Sequence, residues 1–151
     1  PQRFGAVAEL LAREKISFGR RSEGLPGSET QVWLGDSMGE MAAYFTLADV
    51  AFIGGSLLPL GGQNLIEAAA CGCPSVVGPH TFNFLQATAD AIAAGAALRV
   101  DDADGLAAAI GRVFGDSGEL GAMRAAALSF AAAHRGATER TVALIRSALT
   151  S

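Results

Sequence analysis

Residues 49–79 read DVAFIGGSLLPLGGQNLIEAAACGCPSVVGP. The run Asp49 to Ile53 is short and apolar and stops at Gly54-Gly55, the pattern of a strand buried on both faces in a parallel sheet. A Gly/Pro loop follows as far as Gly62. Asn64 stands three residues before Glu67, a capping spacing that opens a small-residue helix closed by Gly72 and Pro74. Ser75 to Val77 is a second buried strand, ended by Gly78-Pro79. Strand, glycine loop, helix and strand in that order argue an α/β fold built on a parallel sheet.

The same alternation extends outward. Upstream, Phe4, Val7, Leu10 and Leu11 recur at helical spacing, so a helix is expected to end near Lys15. Ile16 to Arg20 reads as a strand, Glu23 to Ser28 as a turn, and Thr30 to Leu34 as another strand. Ser37 precedes Glu40 at capping-box spacing, and Met41, Tyr44, Phe45 and Ala48 continue a helix. Downstream, a helix is expected from about Phe84 to Ala94 with Gly95 as its stop, then a strand from Ala97 to Val100. Three helical stripes close the chain: Leu106, Ile110, Val113 and Phe114; Leu120, Met123, Ala127 and Phe130; Val142, Ile145 and Leu149. The expectation is a Rossmann-like parallel sheet with helices on both faces, plus C-terminal helices.

At 151 residues the chain has room for one domain with a core that folds without staples. Charged residues make up only 17%, which excludes a disordered chain. The net charge of −4, without a basic block, gives no support to nucleic-acid binding. No apolar run approaches the roughly 18 residues of a spanning helix. Cys71 and Cys73 are too few for a disulfide framework or a zinc site, and read as reduced, partly buried thiols.

Ligands of open parallel sheets bind where strands end and loops turn into helices. Three such junctions carry unusual residues: Gly35 to Glu40, Gly54-Gly55-Ser56 through Gly61-Gly62-Gln63-Asn64, and Gly78 to Asn83. Glycines let backbone N–H groups approach an anion, and a helix start offers free N–H groups. The second junction therefore reads either as a phosphate cradle, with Glu67 accepting from ribose hydroxyls, or as a plain turn with an Asn64–Glu67 capping pair. The first reads either as a capping box or as a turn around Met38 and Gly39 that recognises a base edge. The third sets His80, Thr81 and Asn83 among two phenylalanines. Its lone histidine is a loop hydrogen-bonder more often than a catalyst. His134 reads as a surface or dipole-pairing residue near a helix end. Asp36, Glu40 and Glu67 are carboxylates near the expected cleft, yet no nucleophile or metal motif accompanies them.

The three loops, in this order, resemble one family, the 3-deoxy-D-manno-octulosonic acid (Kdo) transferases of lipopolysaccharide synthesis. The likeness rests on Leu34-Gly35-Asp36-Ser37-Met38-Gly39-Glu40-Met41, Ala48-Asp49-Val50-Ala51-Phe52-Ile53-Gly54-Gly55-Ser56, Gly61-Gly62-Gln63-Asn64-Leu65-Ile66-Glu67 and Gly78-Pro79-His80-Thr81-Phe82-Asn83-Phe84. Pro1-Gln2-Arg3-Phe4 is similar to the end of the family's His-Pro-Glu-Arg-Phe string. The resemblance covers roughly residues 1–100. It departs at Gln2, where Glu is usual, and at Gln63 and Leu65, where many members carry His and Pro. Gln63 donates a hydrogen bond but does not titrate near neutrality, so no acid/base role falls to it.

The resemblance implies the C-terminal, donor-binding half of a two-domain GT-B glycosyltransferase, with residues 1–151 as a single donor-nucleotide-binding domain. The acceptor half and the first strand of this half would lie upstream. Such enzymes transfer Kdo from CMP-Kdo to a lipid A precursor with inversion and without metal or cofactor. Met38, Gly39 and Glu40 would meet the cytidine. Gly54, Gly55, Ser56, Gly61, Gly62, Gln63 and Asn64 would face phosphate and sugar. Glu67 would hold the ribose, and His80, Thr81 and Asn83 would lie near the sugar or the cleft. The general base belongs to the missing half, as does contact with the cytoplasmic face of the inner membrane. The piece itself is expected to be soluble and inactive, with an open sheet edge that invites a dimer. Two other readings share the residues: the donor domain of a UDP-sugar transferase or epimerase, and a non-catalytic α/β interaction domain whose glycine loops are only turns.

Overall fold

The computed structural model describes residues 3–134, 142 and 145–148. Pro1 and Gln2 of the N-terminal string, and Leu149 of the third stripe, lie outside the described residues. The chain divides into two compact units, residues 1–41 and 42–151.

In the first unit, helix α1 (Phe4–Arg13) buries Ala8 and Leu11 and packs on strand β1 (Phe18–Arg20). The helix ends as the periodicity predicts. Lys15 adopts a positive φ of 56° where glycine is usual, and the Ile16 N–H donates back to the Leu11 carbonyl. Strand β1 pairs in parallel with β2 (Val32–Leu34), Phe18 opposite Val32 and Arg20 opposite Leu34. A 3-10 turn, Arg21–Glu23, begins the connection between them.

The second unit follows the order helix α2 (Met41–Leu47, starting at its border), β3 (Ala51–Phe52), α3 (Ile66–Ala70), β4 (Ser75–Val77), a 3-10 turn (Phe82–Phe84), α4 (Leu85–Ala93), β5 (Ala97–Arg99), α5 (Ala103–Gly115) and α6 (Ser117–His134). Its sheet runs β3-β4-β5, all parallel, with Ala51 opposite Ser75 and Val77 opposite Arg99. The α/β class expected from the sequence is the one observed, with the parallel ladder in two pieces, one in each unit. β4 spans its expected Ser75–Val77, and the other strands are shorter than their apolar runs. Pro74 has no N–H to give, so pairing of β3 with β4 starts where the Ala51 N–H donates to the Pro74 carbonyl.

The core of this unit gathers Ala51, Ile53, Leu65 and Val77 with Ala68 and Ala69 of α3 and Ala127, Phe130 and Ala131 of α6. Alanine thus has a packing role: small side chains let α3 and α6 lie close together. After α3, Gly72 sits at φ +70°, its N–H donating to Ala69 and that of Cys73 to Ala68, the helix stop predicted there. Asp102 caps α5 by accepting from the Gly105 N–H at 2.8 Å. Phe114 departs from its expected stripe and is exposed, whereas Val113 is fully buried. Met123, Ala127 and Phe130 are buried as their spacing predicts. Val142 and Ile145 are exposed. Among the described residues no helix is long and apolar enough to cross a membrane.

Leu65 is 2% exposed and opens α3 against the core. Leu65→Ala should cost about 2–5 kcal/mol in urea unfolding, by lost burial plus a cavity. A cost well under about 1 kcal/mol would contradict this packing.

Candidate functional site

Parallel pairing brings the C-terminal ends of neighbouring strands, and therefore the loops that leave them, to one edge of a sheet. In the second unit this joins the loop after β3 (54–62) to the loop after β4 (78–83). Ser56 is the joint. Its buried hydroxyl donates to the Ile53 carbonyl at 2.5 Å and accepts from the Gly78 N–H at 2.9 Å. Its own carbonyl accepts from the His80 N–H at 2.9 Å. Gly78 lies so close that a Cβ there would overlap the Ser56 carbonyl and sit 2.6 Å from the Leu57 nitrogen. A second joint lies further along. The Asn83 N–H donates to the Gly61 carbonyl at 3.1 Å, and its Nδ2 donates to the Leu60 carbonyl at 3.2 Å. The Gly62 N–H closes the first loop onto the Gly55 carbonyl at 3.2 Å.

Beyond that loop, Gln63 is exposed, and Asn64 and Glu67 pair at the start of α3. Asn64 Oδ1 accepts from the Ile66 N–H at 3.0 Å, and Nδ2 donates to Glu67 Oε1 at 3.0 Å. Asn64 lies two residues before Ile66, outside the N-cap Leu65, so the expected Asn64–Glu67 pair forms between side chains. Glu67 is exposed, and its second carboxylate oxygen has no protein donor among the described residues. Because α3 spans only Ile66–Ala70, what it offers an anion is terminal N–H groups rather than an extended dipole.

In the third loop His80 is half-buried and Thr81 buried. Arg99, at the end of β5, donates to the Pro79 carbonyl at 3.1 Å and to Thr81 Oγ1 at 3.2 Å. No local sequence signal marks Arg99; the β4–β5 register brings it beside this loop.

The first unit holds the Met38–Glu40 turn. Met38 is 74% exposed, Gly39 has φ +81°, and α2 starts only at Met41. The Ser37–Glu40 contact is accordingly side chain to side chain, Ser37 Oγ donating to Glu40 Oε2, and not the backbone capping box its spacing suggested. The turn is fixed at both ends by residues at and just after the end of β1. Arg21 donates to Glu40 Oε1 at 2.8 Å. Ser22 donates to Asp36 through its N–H at 2.8 Å and its hydroxyl at 2.7 Å, while Arg20 pairs with Asp36 at 3.6 Å. Arg20, Arg21 and Ser22 carry no local sequence signal for this; parallel pairing of β1 with β2 brings them there.

The Ser22 hydroxyl and N–H hold the Asp36 carboxyl below its ordinary value, and Arg20 adds to this. The Ser37 hydroxyl, with Arg21, does the same for Glu40. Burial pushes the Cys73 thiol up to about 11, so it stays protonated at neutral pH, while Cys71 is half-buried; both are free. His134 Nδ1 lies 3.0 Å from the Phe130 carbonyl and its Nε2 is 3.6 Å from Asp90, the helix-end pairing expected of it. Among the described residues no group of three or more His, Cys, Asp and Glu side chains is arranged to hold a metal ion.

The lowered carboxylates give a testable sign. With folded values below the unfolded ones, their bonds are complete above the ordinary carboxylate range and are lost as pH falls through the lowered values. In an NMR titration Asp36 should titrate below its usual value of about 3.9. Ser22→Ala should raise it and leave Glu40 unmoved. Titration of wild-type Asp36 at the ordinary value would contradict the pairing.

No profile of a known protein family matches the chain. Individual relatives do. The chain is 50% identical over 144 residues to a 3-deoxy-D-manno-octulosonic acid transferase of Bordetella pertussis, a match covering 94% of this chain and 34% of that protein. It is 52% identical over 85 residues to the transferase of the same name from Haemophilus influenzae, covering 56% of this chain and 20% of that protein. The chain thus spans about a third of the length of the Bordetella relative. Among solved structures, it superposes on the C-terminal CMP-Kdo binding domain of WaaA from Acinetobacter baumannii with a TM-score of 0.81 and 34% identity, over 86% of this chain and 68% of that one. With 34% identity over 68% of that solved domain, the chain belongs to the 3-deoxy-D-manno-octulosonic acid transferase family.

Proposed function

We propose that this chain binds CMP-Kdo and supplies the donor half of a GT-B enzyme that transfers Kdo, with inversion, to a lipid A precursor. The observation that carries the reading is the likeness to a CMP-Kdo binding domain at 34% identity and a TM-score of 0.81. The chemistry of the loops supports it. CMP leaves as an anion, and glycine turns present backbone N–H groups to such a charge without side chains in the way. Gly54 is exposed and Gly55 half-exposed on the loop after β3. On this reading those glycines, with Gln63 and Asn64, meet the phosphate and sugar, and the buried Gly61 and Gly62 form the turn that presents them. The free oxygen of Glu67 accepts from the ribose, and the Met38-Gly39-Glu40 turn meets the base.

Both Glu40 oxygens already accept protein hydrogen bonds, so on this reading Glu40 shapes the turn while the backbone around Met38 and Gly39 reads the cytosine edge. The general base that activates the acceptor hydroxyl, contact with the inner membrane and the lipid acceptor site fall to the rest of the enzyme. Pairing of two copies at an open sheet edge belongs to the same proposal.

Three outcomes are expected. The purified 151-residue chain shows no turnover with CMP-Kdo and a lipid A precursor; turnover would overturn the division of labour. In calorimetry on the full-length enzyme, CMP binds more tightly than UMP, whereas a preference for UMP would favour a UDP-sugar enzyme. Glu67→Ala weakens CMP binding by about 1.5–3 kcal/mol, the loss of a charged hydrogen bond. Undiminished CMP affinity in this variant would leave Glu67 as a helix-capping residue only.

A further inference from the structure

The resemblance implies for Asn83 only a position near the sugar or the cleft. Its surroundings give it a more definite task. The side-chain amide lies directly over the Cα of Gly61: a Cβ built there would fall 2.5 Å from Asn83 Cγ and 2.7 Å from its Oδ1. From that position Nδ2 donates to the Leu60 carbonyl at 3.2 Å and reaches the Gly62 carbonyl at 3.5 Å, while the Asn83 N–H donates to the Gly61 carbonyl at 3.1 Å. Three consecutive carbonyls of the 60–62 segment are therefore gathered by one residue of the opposite loop. Gly61 and Gly62 both hold positive φ, 88° and 73°, conformations that cost other residues energy and that an unrestrained glycine pair would leave readily. Ser56 and Gly78 already fix the bases of the two loops to each other, so Asn83 has a rigid platform from which to hold the tip.

We propose that Asn83 is a positioning residue for the donor: it latches the Gly61-Gly62 turn and so sets the direction of the N–H groups that lead into Gln63 and Asn64. This rests on the CMP-Kdo reading for its ligand and on the Asn83–Gly61 geometry for its mechanism. Pre-organising the turn removes the ordering cost that a mobile glycine loop would incur on binding. The effect therefore appears in donor affinity and not in the acceptor or in the chemical step.

The test uses the full-length enzyme and Asn83→Asp, which keeps the shape but replaces the donating Nδ2 by an oxygen facing two carbonyls. Amide hydrogen exchange without ligand should accelerate at residues 61–63, with the unfolding midpoint little changed. The KM for CMP-Kdo should rise roughly tenfold or more, with kcat and the acceptor KM near wild type. Gly61→Ala should also raise the donor KM, and adding Asn83→Ala to it should not multiply the two effects, because both break one latch. Unchanged exchange at 61–63 overturns the latch. Faster exchange with an unchanged donor KM overturns its role in binding. A fall in kcat at constant donor KM makes Asn83 a catalytic contact instead. A wild-type enzyme that does not use CMP-Kdo fails at the proposed function, and the exchange arm still decides the latch.

Discussion

Gly78 passes so close to the carbonyl of Ser56 that no side chain fits between them. That approach governs the candidate site of the second unit. With the Ser56 hydroxyl bridging Ile53 and Gly78, it turns the ends of two parallel strands into one rigid edge. The hydroxyl is buried and both donates and accepts within the protein, so Ser56 holds the loops together. Everything beyond that edge, from the Gly55–Gly62 closure to the Asn83 amide over Gly61, is built out from it. Parallel pairing without such a joint would bring the loops near one another but leave their glycines free to wander.

The first unit solves a similar problem with charge. Its turn is held by Arg21 on Glu40 and by Ser22 and Arg20 on Asp36, all at the C-terminal ends of β1 and β2. The Arg21–Glu40 pair is partly exposed, so its value lies in fixing the turn's direction more than in stability. The guanidinium carbon of Arg21 also lies 6.0 Å from the Trp33 ring centroid, which orients the arginine from its other side.

Much of this was legible in the sequence. The buried apolar runs ending in Gly54-Gly55 and Gly78-Pro79 announced β3 and β4, and Gly72 announced a helix stop. The three glycine loops are chemically unusual on sequence alone. What local patterns do not carry is register. Whether Arg99 reaches Thr81, or Ser22 reaches Asp36, depends on which strands pair and where they start, and these partners are far apart in the chain. Capping spacings misled slightly for a related reason. Ser37–Glu40 and Asn64–Glu67 are genuine pairs, yet a positive φ at Gly39 and a late start at Ile66 move each helix away from the expected frame. Phe114 left its stripe because a helical period alone does not say which flank of the stripe finds a partner.

CMP-Kdo is the ligand proposed for the clasped glycine loops and for the Met38–Glu40 turn. The most direct measurement is a chemical-shift titration of isotope-labelled protein with CMP. Shifts concentrated at residues 38–40, 54–64 and 78–83 are the expected result. Saturable binding with shifts confined to other surfaces would contradict it.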